Sequence, residues 1–181
     1  MDVYILRHGK AEEAGPGMAD ADRRLTKKGR EEIAAAGQWM AAQGLRFDLI
    51  AASPLVRAQE TAAIVAGCLG ERARLVTWDI LSPGGTTDRV CHEIGKLPDP
   101  GAVLLVGHEP LLSALVSRII AGDEDAAVAM TKGALAKIRD FSMTTRPSGE
   151  LHWLVTAKQM AGATWLLPLL PYFLFRIFSG S

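Results

Sequence analysis

The chain has 181 residues, 49% of them hydrophobic, which is enough for one substantial core and short of two average domains. Twenty Lys and Arg balance twenty Asp and Glu, for a formal net charge of zero. No global field therefore draws the protein to nucleic acid or to an anionic bilayer, and any bound anion has to be held by a local cluster of cations.

Residues 3–6 are a run of β-formers, the pattern of a strand buried on both faces, ending in the polar cluster Arg7-His8-Gly9-Lys10. Residues 11–24, with Gly15-Pro16-Gly17 and alternating Asp and Ala, suit a surface loop. Thr26 caps a helix with Ile33, Ala36, Gly37, Met40 and Ala41 at helical spacing, ending near Gly44. Residues 47–52 read as a second buried strand. Ser53 caps the next helix, with Pro54 at its first position, and the helix runs to about Leu69. Residues 74–78 form a third strand, Pro83-Gly84-Gly85 a turn, and residues 87–97 a helix. Residues 103–106 are a fourth apolar strand, from which Gly107-His108-Glu109-Pro110 leads into a helix over 111–121.

Strands that alternate with helices predict an α/β fold, a mostly parallel sheet with helices on both faces. Residues 134–141 and 150–156 then read as two further strands joined through Arg146-Pro147-Ser148-Gly149, a late edge hairpin. Cys68 and Cys91 have no paired spacing and no histidine at metal-ligand distance. They argue for a reducing compartment and against structural zinc, and both read as buried small apolar residues. Met1-Asp2 leads straight into the first strand without a basic region or cleavage site, so a cytoplasmic protein is expected. Residues 1–158 make the domain and 159–181 a hydrophobic C-terminal extension. Pro168 and Pro171 interrupt that apolar run, and a spanning helix needs roughly 20 such residues. Packing on the domain is preferred over a weak membrane anchor through 159–178.

Ligands of doubly wound sheets sit outside the carboxyl ends of the strands. Three such ends carry polar residues here: Arg7, His8 and Gly9 after the first strand, Ser53 and then Arg57 after the second, and Gly107 and His108 after the fourth. A phosphoryl group needs such a set, because guanidinium donors neutralise its oxygens while a neutral imidazole attacks phosphorus. Gly9 fits a close backbone approach to a ligand. Alone the motif is modest evidence, since Arg-His-Gly arises by chance in roughly one chain in a hundred of this length. A lone histidine at a strand end is more often structural, and an arginine in a first helical turn is usually a solvated group. The convergence of two histidines, His8 and His108, and two arginines, Arg7 and Arg57, on one rim changes those odds.

The run Val3-Tyr4-Ile5-Leu6-Arg7-His8-Gly9-Lys10-Ala11 resembles the signature of the histidine phosphatase superfamily. Asp22-Arg23-Arg24-Leu25-Thr26 with Gly29 resembles the Arg-Pro-Leu-Thr-x-x-Gly segment of the SixA-type phosphohistidine phosphatases, Arg24 standing in place of proline. Further similar blocks follow in the family's order: 53–62, 83–85, 106–110, 132–136 and 153–159. The resemblance implies a three-layer, phosphoglycerate mutase-like α/β sandwich. It implies that His8 is the nucleophile of a phosphohistidine intermediate and that Arg7, Arg57 and His108 bind phosphoryl oxygens, with Arg23 a further phosphate contact. It also implies a monomer that acts without metal or other cofactor on a phosphohistidine-bearing protein.

Phosphomonoesterases of the superfamily place a Glu or Asp after the third strand to protonate the leaving group. Here that region reads Leu81-Ser82-Pro83-Gly84-Gly85-Thr86-Thr87, with Asp79 and Asp88 only flanking it. An alkoxide leaves poorly without a proton donor, whereas imidazole, with a pKa near 6.5, leaves readily, so a phosphohistidine is favoured over an ester. Glu109 is an alternative donor, although its place before Pro110 suits a helix start better. His92 and His152 read as structural or exposed, and Trp39 and Met40, at helical spacing in an Ala-rich segment, read as core residues. The competing readings are a broad small-molecule phosphomonoesterase of the same fold and a noncatalytic phosphate-binding or membrane-tethered module.

Overall fold

A computed structural model describes residues 1–70, 75–98 and 101–163. Six strands, β1 (Asp2–Arg7), β2 (Leu49–Ala52), β3 (Leu75–Thr77), β4 (Ala102–Gly107), β5 (Leu135–Met143) and β6 (Pro147–Val155), form one sheet in the order β3-β2-β4-β1-β5-β6. The first four are mutually parallel, and β5 and β6 are antiparallel additions at one edge. The helices are α1 (Lys27–Ala42), α2 (Val56–Leu69), α3 (Thr87–Gly95), α4 (Leu111–Ala121) and α5 (Ala157–Ala163).

Strand periodicity splits the core into two. Val3, Ile5, Val103 and Leu105 pack on one face with Val90, Ile94, Leu112 and Leu115 of α3 and α4. Tyr4, Leu6, Leu104 and Val106 pack on the other with Ile33, Met40, Ala62 and Val65 of α1 and α2, and with Met160 of α5. The chain moves outward from β1 to β2 and β3 through α1 and α2, then returns through α3 to insert β4 between β2 and β1. Right-handed crossovers that run in opposite directions must use opposite faces, which is why the helices divide this way.

Several local expectations shift. Ser53 does not cap α2: the helix starts at Val56 after Leu55, without a side-chain cap, and Ser53 is buried at the end of β2. The turn of the late hairpin is residues 144–146, earlier than the Arg146-Pro147-Ser148-Gly149 turn expected, because Pro147 already pairs with Met143. Proline is tolerated there as the first residue of an edge strand. Cys91 is buried as expected, but Cys68 is only half-buried. Trp39 stacks edge-on against Trp153 with ring centroids 5.9 Å apart, and Met40 is fully buried. Thr26 caps α1 as expected, accepting from Gly29 N at 2.9 Å.

Helix α5 goes unnoticed in the periodicity but has a capping box. Thr156 Oγ1 accepts from Gln159 N at 3.2 Å, and Gln159 Oε1 accepts from Thr156 N at 2.8 Å. The helix straddles position 158. The rest of the apolar C-terminal stretch, 164–181, lies outside the described residues, and among those residues no helix is long and apolar enough to cross a membrane.

Gly29 marks the tightest approach of α1 to the first loop, since a Cβ there would lie 2.1 Å from the carbonyl oxygen of Lys10. Gly29→Ala is expected to cost about 2 kcal/mol in urea unfolding through forced displacement of that loop. Gly84→Ala, with nothing within 4 Å of the added carbon, should stay within about 0.5 kcal/mol of wild type. Equal effects would rule out the packing account.

Candidate active site

The parallel ladder β2-β4-β1 runs one residue beyond its strands. His8 N donates to Gly107 O at 3.1 Å and Ser53 N to Val106 O at 2.9 Å. The residues that follow three neighbouring strands, Ser53, His108 and His8, therefore stand side by side. His108 Nε2 and Ser53 Oγ are 2.8 Å apart, and the rings of His8 and His108 lie 4.9 Å apart, tilted by 52°.

His8 Nδ1 lies 2.7 Å from the carbonyl oxygen of Gly9. A carbonyl only accepts, so Nδ1 carries the proton and the lone pair of the neutral ring is on Nε2. Burial, together with the positive charges of Arg57, Arg7 and Lys132, pushes His8 down to about 4, although the Gly9 bond works the other way. His108 is lowered to about 3 by burial first, then by His8, Arg57 and Arg7, with Asp20 opposing. Both rings are thus neutral at pH 7.

Every predicted site residue can be placed. Arg7 gives Nη1 to Met130 O at 2.7 Å, and its Nε is buried without a partner. Arg57, buried in the first turn of α2, keeps its Nε likewise unpartnered, as is Nδ1 of His108. Two unpartnered guanidinium Nε groups thus lie beside two neutral imidazoles, a donor set suited to an anion. Arg23 belongs to this rim through Asp20, whose Oδ1 lies 2.8 Å from Arg23 Nη2 while Oδ2 accepts from Arg57 Nη2 at 2.9 Å. Gly9 also meets a packing demand: a Cβ there would lie 2.6 Å from Ile33 Cγ1, so the glycine permits the close contact with α1.

Sequence reading missed two contributors, Lys132 and Asp20, and gave a third, Ser53, a place at the rim but only a capping role; the β2-β4 pairing puts it on His108. Lys132, in the loop before β5, adds charge near His8. Asp20 sits in a turn (Asp20–Asp22) within a loop whose course the residue pattern does not specify. The alternative proton donors are engaged or peripheral. Glu109 accepts from Ser113 N at 3.2 Å and from Ser113 Oγ at 2.6 Å, a helix-start role. Asp88 pairs with Arg118 at 3.0 Å, and Asp79 is exposed. Among the described residues no cluster of three or more His, Cys, Asp or Glu could hold a metal ion.

A two-layered helical cover on a mostly parallel sheet, with two buried neutral histidines and three arginines at its carboxyl rim, defines a class of phosphoryl-binding α/β protein. Residues 3–82 match the model of the histidine phosphatase superfamily (branch 1). An uncharacterised protein of Picosynechococcus sp. is 30% identical over 174 residues, covering 93% of this chain and all of that one. The phosphohistidine phosphatase SixA of Escherichia coli is 28% identical over 155 residues, 84% of this chain and 92% of that protein. The structure of the protein histidine phosphatase SixA complexed with tungstate superposes with a TM-score of 0.79 at 25% identity, covering 88% of this chain and 99% of that one. The chain belongs to the histidine phosphatase superfamily and is a phosphatase of the hydrolase class.

Both depressed histidines bear on stability. The unfolded chain, with histidines near 6.5, binds more protons than the folded one as pH falls from about 6.5 toward 4. The stability contributed by neutral His8 is therefore complete above pH 6.5 and lost toward pH 4, on the order of 3 kcal/mol. Urea unfolding of His8→Asn across that range should show a shallower loss than wild type. An identical slope would contradict the burial of a neutral His8.

Proposed function

We propose that the protein is a phosphohistidine phosphatase acting on a phosphorylated histidine of another protein. The observation that carries the reading is the His8 imidazole, held neutral and with its Nε2 lone pair free by the Nδ1–H bond to Gly9. Nε2 attacks phosphorus, the P–N bond to the substrate imidazole breaks, and its electron pair leaves with that ring, which takes a proton from solvent. Water then attacks phosphorus in the His8 adduct, releasing inorganic phosphate and restoring Nε2.

Arg7 and Arg57 hold the phosphoryl oxygens through their unpartnered edges, with Arg23 flanking. His108 donates from Nδ1 on the side opposite His8, and Ser53, by donating to Nε2 of His108, selects the tautomer in which Nδ1 carries hydrogen. The charge that stabilises the transferring group comes from these side chains, so the reaction is assigned no metal or other cofactor. All these residues come from one chain, so a monomer suffices, acting on its partner in the cytoplasm.

One observation favours a phosphohistidine on a protein over a small ester. Glu109 and Asp88 are committed to Ser113 and Arg118, which among the described residues leaves the poor alkoxide leaving group without an evident proton donor, whereas imidazole needs little help.

The test compares wild type with His8→Ala and Arg57→Ala on a phosphohistidine-bearing protein and on a panel of phosphate esters. His8→Ala is expected to be inactive on both, and Arg57→Ala to lose about 100-fold in kcat/KM. Ester turnover far above phosphohistidine turnover would overturn the substrate assignment, and full activity of His8→Ala would remove the nucleophile. Ser53→Ala should lower kcat by about tenfold with little change in KM, because it loosens the His108 tautomer without removing a phosphate ligand.

A further inference from the structure

Asp20 is the one carboxylate bonded to the arginines of the rim among the described residues. Its Oδ2 accepts from Arg57 Nη2 at 2.9 Å, its main-chain carbonyl accepts from Arg57 Nη1 at 2.7 Å, and its Oδ1 faces Arg23 Nη2 at 2.8 Å. Arg23 is tied a second time, giving Nη1 to Glu12 O at 3.0 Å. The side chain of Asp20 is 60% exposed and that of Arg57 only 4%, so a surface carboxylate reaches down to a buried guanidinium.

A carboxylate in that position either competes with the phosphoryl group or orients the groups that bind it. The atoms used decide between the two. A guanidinium has two edges for a bidentate anion, the outer Nη1/Nη2 edge and the side edge of Nε with Nη2. Asp20 takes the outer edge of Arg57 through its carbonyl and carboxylate together. The Nε of Arg57 is left buried and unpartnered, as are Nε of Arg23 and of Arg7, the last of which is likewise tethered by Nη1, to Met130 O. Arg118 also has an unpartnered Nε, so that feature alone is no signal. At the rim the difference is convergence, since the charges of Arg7, Arg57 and Asp20 all act on His108.

We infer that Asp20 is a positioning residue, which grips Arg57 and Arg23 by their outer nitrogens and so presents their Nε edges to the phosphoryl oxygens. The inference rests on the phosphoryl-transfer reading of the site. Asp20 does not serve as the missing proton donor, because the Arg57 hydrogen bond, with the charges of Arg57 and Arg23, holds its carboxyl below the ordinary carboxylate range. Its work is geometric: a guanidinium on three methylenes samples many rotamers, and anchoring its far edge removes that freedom before the substrate binds.

The experiment compares wild type, Asp20→Ala and Asp20→Asn as full chains. Tungstate affinity is measured by calorimetry, kcat and KM with a phosphohistidine-bearing protein, and the Nε–Hε resonance of Arg57 by nitrogen-15 NMR. Tungstate Kd and KM are expected to rise about tenfold in both variants while kcat changes less, with the Arg57 resonance shifted and broadened. Asp20→Asn keeps the size of the side chain and the main-chain bond to Arg57, so a loss there reports the carboxylate rather than a rearranged loop. Unchanged tungstate affinity overturns the inference, and so does tighter binding, which would make Asp20 a competitor. If the wild type hydrolyses no phosphohistidine, the substrate assignment falls on its own, and the tungstate comparison still decides the role of Asp20.

Discussion

The hydrogen bonds His8 N to Gly107 O and Ser53 N to Val106 O carry the ladder of three parallel strands one step beyond the sheet, and the chemistry depends on that step. Backbone pairing is stiff and directional, so residues 8, 53 and 108 acquire a spacing that their own side chains do not have to maintain. The insertion of β4 between β2 and β1 brings His108 beside His8. An order in which β2 paired directly with β1 would have put Ser53 there instead. Around this frame the smallest residues mark the closest approaches. Gly29 touches the backbone of Lys10, and Gly9 leaves room for Ile33, so α1 lies directly under the loop that carries His8.

The same burial that fixes the rings sets their charge. A histidine placed among Arg7, Arg57 and Lys132 and removed from water has two reasons to stay neutral, and each works against the cation. The result is a site with concentrated positive charge and an unprotonated His8, although the whole chain has no net charge. The arginines are held at their outer nitrogens, Arg7 Nη1 by the carbonyl oxygen of Met130 and Arg57 Nη1 and Nη2 by the carbonyl and carboxylate of Asp20.

The first loop is fastened at several points. Ala11 and Leu25 form a bridge, Leu25 N donates to Glu60 Oε2 at 2.7 Å, and Thr26 N donates to Lys10 O at 2.9 Å. Glu60 follows Arg57 by one turn of α2, so a single helix holds both the loop's base, through Glu60, and its turn at Asp20, through Arg57. The position of Arg57 and the order of the loop are thereby tied to the same helical face.

Much of this was legible in residue order. Alternating apolar runs and caps located the four parallel strands and α1, α3 and α4 to within a few residues, because periodicity and capping are local properties. Arg7, His8, Arg57 and His108 were legible because a strand's carboxyl end is readable from its apolar run. Ser53-Pro54 misled because Ser before Pro is a good local signal for a helix start, and the competing demand, a partner for His108, arises 55 residues away. The packing demand on Gly9 was not legible because its neighbour Ile33 is on another element. Asp20 could not be chosen from the several acids of residues 12–22, since loops without periodicity carry no spatial information. The sequence by itself determined the element types, the strand-end positions of the imidazoles and guanidiniums, and the family. Only the tertiary structure decided which nitrogen of His8 is free, which ring Ser53 serves and which carboxylate holds Arg57, because those follow from distances between segments that only packing brings together.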